Sequence, residues 1–173
     1  MLSDCHPPIK ISIIPRGESA LGYTQPEPND DKLRSKEYIM ADICSYLGGR
    51  VAEQIKFGCI STGAYDDIEK LTKMAHGAVA LYGMDNVIGP INVISTDELQ
   101  HSEHYKKMVD ERVSDLVNKM QTITTDIISQ NMESLENIAK YLLEHEEITK
   151  YDFEKIVSPD LSNSINIKDI MNQ

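Results

Sequence analysis

The chain has 173 residues, 40% hydrophobic and 26% charged, enough for one globular domain with a real core. Its formal charge of −11 argues against sequence-independent nucleic-acid binding, which depends on lysine and arginine. No apolar run reaches the roughly 18 residues of a membrane span, no signal-peptide pattern opens the chain, and the three cysteines (Cys5, Cys44, Cys59) at unrelated spacings read as reduced thiols.

The segment 1–8 is irregular, with Pro7-Pro8 excluding a helix. Ile9-Lys10-Ile11-Ser12-Ile13-Ile14 is rich in β-branched residues and predicts a strand, broken by Pro15-Arg16-Gly17. Ala20-Leu21-Gly22-Tyr23-Thr24 reads as the return strand, and a Pro/Asn/Asp loop follows from Gln25. A lone hairpin is marginal in water, so it must sit on helices. Its spacing favours a structural flap; the other reading is an exposed edge that adds an extended peptide.

From about Leu33 the spacing turns helical, with Met40, Ile43, Cys44, Leu47, Val51 and Ile55 on one stripe that continues across Gly48-Gly49. Two glycines inside a helix predict a close backbone approach. Cys44 lies on the stripe and reads as packing, Glu53 lies opposite and reads as solvated, and Gly58 ends the element.

Ser61-Thr62-Gly63-Ala64-Tyr65-Asp66-Asp67-Ile68 opens a second helix, running to about Tyr82. Carboxylates at a helix start are favoured by the unpaired N–H groups and the dipole, so stabilisation of the helix accounts for both aspartates at first sight. Helical phase separates them. At about 3.6 residues per turn, Asp66 falls opposite the apolar face of Ile68, Leu71, Ala75, Ala78, Val79 and Tyr82, with Lys70 and Lys73 as neighbours. Asp67 falls on the flank of that face, where a carboxylate needs a partner because burying it alone is costly.

After Gly83 a loop containing Gly89-Pro90 leads to a long helix starting near Ser102. The chain turns at Asn131 into another helix, and Thr149-x-x-Asp152 resembles a capping box for a short last one. Ser158-Pro159 stops it. The expected architecture is therefore mainly α, a helical bundle with a small amino-terminal β-hairpin over 8–157, followed by a loose tail at 158–173.

No catalytic site can be assembled from these motifs. A zinc helix of the His-Glu-x-x-His type would place two imidazoles one turn apart; His101-Ser102-Glu103-His104 has the wrong spacing, and no phosphate loop, nucleophile elbow or Cys-x-x-Cys pair occurs.

Four ordered blocks nevertheless carry a resemblance. Lys10-Ile11-Ser12-Ile13-Ile14-Pro15-Arg16-Gly17 with Ala20-Leu21-Gly22-Tyr23, then Leu47-Gly48-Gly49-Arg50-Val51-Ala52-Glu53, then Ser61-Thr62-Gly63-Ala64-x-Asp66-Asp67-Ile68, then Tyr82-Gly83-Met84 follow the order seen in FtsH-type proteases of peptidase family M41. The wording resembles the mitochondrial AFG3-like and paraplegin-like branch. The resemblance implies a membrane-anchored, ATP-dependent zinc metalloprotease, hexameric, at the mitochondrial inner membrane facing the matrix. It acts on unfolded or membrane polypeptides, with ATP bound by a domain outside this chain.

In that family two histidines of a His-Glu-x-x-His helix and an aspartate of a later helix hold zinc. Asp67 is the position matching that aspartate. The segment Ala20, Leu21, Gly22, Tyr23 and Thr24 matches a substrate-aligning edge. The zinc helix itself is expected upstream of Met1, so this chain is expected to be a carboxy-terminal part of the peptidase domain, soluble and inactive by itself, with no catalytic residue of its own. The alternative is a non-catalytic helical oligomerisation module of a degenerate family member. A weaker option is an unrelated helical adaptor whose motif match is accidental.

Overall fold

The structure is a computed structural model that describes residues 5, 7–15, 22–28, 33–93, 102–157 and 167. Its elements are β1 (Pro8–Ser12), β2 (Tyr23–Pro26), α1 (Lys36–Phe57), a short 3-10 turn (Thr62–Ala64), α2 (Tyr65–Ala80), α3 (Glu103–Gln130), α4 (Met132–His145), β3 (Glu147–Thr149) and α5 (Lys150–Val157). The architecture is mainly helical with a small sheet, as expected. The chain divides into two compact units, one of residues 34–126 and one built from both ends, 1–33 with 127–173.

The central unit rests on the stripe read from the sequence. Ser35 caps α1, its hydroxyl accepting from Tyr38 N at 3.1 Å. Met40, Ile43, Cys44, Leu47 and Val51 are buried on this helix, as are Leu71, Ala75, Ala78 and Val79 of α2. Cys44 lies 3.8 Å from both the carbonyl oxygen and the sulfur of Met120 on α3. Burial pushes its thiol up, which outweighs a hydrogen bond to Thr124, so Cys44 is an inert packing residue. Beyond α2, Val79, Ala80, Ile88 and Val109 form a cluster that joins the loop at 83–93 to α3.

Gly48 and Gly49 do not meet the expected close approach: a Cβ at either would have nothing within 4 Å. The close approaches fall elsewhere. A Cβ at Gly83 (φ 63°) would lie 2.7 Å from Pro90 Cα, and one at Gly22 would lie 2.6 Å from the Ser12 carbonyl oxygen.

In the unit made of the chain ends, the expected hairpin is part of a three-stranded antiparallel sheet, order β2-β1-β3. β1 stops at Ser12 because Ile14 N folds back onto Ser12 Oγ at 3.2 Å and Pro15 has no N–H to continue the ladder. β2 begins later than expected and includes Gln25 and Pro26. Proline is tolerated there because β2 is an edge strand. β3 was not expected. Its fully buried Ile148 pairs with Ile11. The predicted capping box is present, with Thr149 Oγ1 donating to Asp152 Oδ2 at 2.6 Å and accepting from Asp152 N at 3.3 Å. Of the segment expected to be a loose tail, Ile167 is described and is buried; the rest lies outside the described residues. No described helix is long and apolar enough to cross a membrane.

Candidate functional site

The site is built where α1 hands over to α2. α1 ends at Gly58, whose left-handed backbone (φ 69°) lets its N–H return to Gln54 O at 3.0 Å. The chain then runs to Ser61, which caps the 3-10 turn: Ser61 Oγ accepts from Gly63 N at 3.2 Å. Glu53, expected to be merely solvated, reaches across from α1, and its Oε2 accepts from Ser61 N at 3.0 Å. Hydrogen bonds from the Ser61 side chain and backbone hold the Glu53 carboxyl below its ordinary value, against a small opposing effect of burial and with help from the charge of Arg50. Sequence reasoning missed this residue because its partner is a backbone amide beyond a helix break.

The first turn of α2 then presents both aspartates. Asp66 is exposed and Asp67 half-buried, as the helical phase predicts. The cations placed near Asp66 by spacing go elsewhere: Lys70 sits over the Tyr46 ring at 5.8 Å and Lys73 pairs with Glu69 at 2.6 Å. Among the described residues, the Asp67 side chain makes no hydrogen bond or ion pair. A half-buried carboxylate in this state is costly unless something else bonds it.

Among the described residues no group of three His, Cys, Asp or Glu side chains could hold a metal ion. His104 is exposed, and His145 stacks on Tyr141 with ring centroids 4.0 Å apart; His6 and His101 lie outside the described residues. Asp67 has the chemistry of one carboxylate ligand.

The second feature forecast from the sequence is the strand edge. Tyr23 and Thr24 lie in β2, opposite Ser12 and Ile11 of β1, and Gly22 leads into it. Ala20 and Leu21 lie outside the described residues. β2 is an edge of the sheet and belongs to the unit of the chain ends, whereas Asp67 belongs to the central unit.

A family model described as peptidase family M41 matches residues 1–156. The chain belongs to peptidase family M41. Its similar proteins include the ATP-dependent zinc metalloprotease FTSH 10, mitochondrial, of Arabidopsis thaliana, 38% identical over 160 residues that make up 90% of this chain and 20% of that protein. The ATP-dependent zinc metalloprotease FtsH of Rhodothermus marinus is 35% identical over 161 residues, 88% of this chain and 23% of that one. The mitochondrial inner membrane m-AAA protease component AFG3L1 of Mus musculus is 35% identical over 164 residues, 91% of this chain and 21% of that protein. This M41 chain thus spans about a fifth of the length of the curated relatives it matches.

Proposed function

We propose that these residues form the carboxy-terminal part of the zinc peptidase domain of a membrane-anchored, ATP-dependent protease, and that Asp67 is its carboxylate zinc ligand. The observation that carries this reading is the half-buried Asp67 carboxylate, left without a partner among the described residues, in the first turn of α2. Its relatives are named as zinc metalloproteases and as a mitochondrial inner membrane protease component.

In the complete protease zinc would supply Lewis-acid activation of water and of the peptide carbonyl. The part of this chain is to hold one carboxylate at a fixed place on a helix start. The second part belongs to β2: an edge strand can pair with an extended polypeptide through its main chain, and Gly22, Tyr23 and Thr24 lie at that edge with Ala20 and Leu21 before them. Polypeptides, unfolded or drawn from the membrane, are the substrates of this reading. The assembly is a homo- or hetero-hexamer at the mitochondrial inner membrane, facing the matrix, with ATP bound by another domain. The 173 residues alone are inactive, because one carboxylate cannot retain zinc.

Replacement of Asp67 by alanine in the full-length gene product abolishes casein hydrolysis and leaves ATP hydrolysis within about twofold, since the ligand lies outside the nucleotide-binding machinery. Unchanged casein hydrolysis would remove Asp67 from the metal site. Isothermal titration of the 173-residue chain with zinc should show no micromolar binding; one-to-one binding would show instead that the site is complete within it.

A further inference from the structure

A carboxylate aimed at a metal is only as well placed as the backbone that carries it. The first turn of α2 is oddly anchored. Ala64, the residue before it, makes no side-chain capping bond. The side-chain bonds at this corner belong instead to Ser61 and Glu53. Ser61 Oγ accepts from Gly63 N, inside the turn that runs directly into α2, and Glu53 Oε2 accepts from Ser61 N. The result is a relay from α1 through one serine to the 3-10 turn that leads into α2 and Asp67.

α1 is a firm base for it. Glu53 lies near the end of a helix of 22 residues whose Ile43, Leu47 and Val51 are buried. Between Gly58 and Ser61 the chain is irregular, so without this tie the strap has backbone freedom that the helices do not.

We propose that Glu53 is a positioning residue: by holding Ser61 it fixes the first turn of α2 and with it the aim of the Asp67 carboxylate. This rests on the reading of Asp67 as a metal ligand, but the relay can be tested apart from it. The partner of the Glu53 carboxylate is the Ser61 amide. In this role it acts through Ser61.

The first experiment is amide hydrogen exchange on the 173-residue chain. Glu53→Ala should speed exchange at the Ser61 and Gly63 amides about tenfold, leaving the buried turn around Leu47 unchanged. Ser61→Ala should speed exchange at Gly63 while Ser61's own position stays protected, because the backbone bond to Glu53 survives. Glu53→Gln, which keeps an acceptor oxygen at the same reach, should stay close to the parent chain. Unaltered exchange at both amides in Glu53→Ala overturns the relay. Should that variant also lose protection around Leu47, Ser61→Ala decides: unaltered exchange at Gly63 overturns it.

The second experiment uses the full-length protease. Glu53→Ala should lower kcat for casein about tenfold or more with KM unchanged, and Glu53→Gln should recover most of it, as expected for a ligand displaced rather than removed. Full activity in Asp67→Ala overturns the ligand reading together with this one. An inactive Asp67→Ala beside a fully active Glu53→Ala overturns the positioning role alone.

Discussion

Asp85 carries more of the central unit than its place in a loop suggests. Its Oδ1 accepts from Val87 N and Ile88 N, each at 2.9 Å, and its Oδ2 accepts from Arg112 Nε at 3.0 Å and Nη2 at 2.8 Å. The Asp85 side chain is only 9% exposed and that of Arg112 33%. Burial by itself would raise the carboxyl, but the hydrogen bonds from Arg112, Ile88 and Val87, with the guanidinium charge, hold it below its ordinary value. The stability this contributes is fully present above the usual aspartate range near pH 4 and is lost as pH falls through the lowered folded value. Urea unfolding followed from about pH 5 downward should therefore show a shallower loss in Asp85→Asn than in the parent; parallel curves would mean the pair is energetically idle. At neutral pH Arg112→Ala should cost about 2 kcal/mol, the scale of a charged hydrogen-bonded pair. None of this was legible in the sequence, because the pair spans 27 positions and depends on the turn between Gly83 and Pro90. By contrast, the difference between Asp66 and Asp67 could be read from helical phase alone, since it needs no tertiary information.

Among elements, α1 shows both what a hydrophobic stripe reveals and what it conceals. Its buried residues follow the period, and its capped ends lie at Ser35 and Gly58. The double glycine was misleading: interior glycines signal close approach only when something stands there, and a Cβ at Gly49 meets nothing within 4 Å. Gly49→Ala should therefore raise the stability of this chain by about 1 kcal/mol, the helix-propensity difference, measured by urea denaturation; destabilisation would show that the open surface is misread. β3 escaped the sequence for another reason: three residues are too few to display alternation, and they follow directly on the α4 cap. That cap is Glu146, the non-glycine residue with positive φ (63°) among the described residues. Glu146→Gly removes the left-handed penalty and keeps the backbone bonds to Leu142 O and from Ile13 N, so a gain of about 0.5 kcal/mol is expected from thermal melts. A lower melting temperature would argue that the glutamate side chain contributes something further.

For the molecule as a whole, family membership and the helical character were open to sequence reading because the blocks around Gly17, Gly48, Asp67 and Gly83 keep their order. The division into two units was not, since it depends on which distant segments meet. The unit of chain ends is closed by β1 pairing with β3, Ile11 opposite Ile148. The ribosome makes β1 well before β3. A nascent chain releases the amino-terminal strands first, and two short strands hold together poorly in water. They must wait until β3 has emerged, while 34–126 has its helical partners already in hand. Chains arrested before Glu147 should protect the middle of the sequence and leave Lys10 to Ser12 open to protease, so the order of synthesis sets the order in which the two units mature.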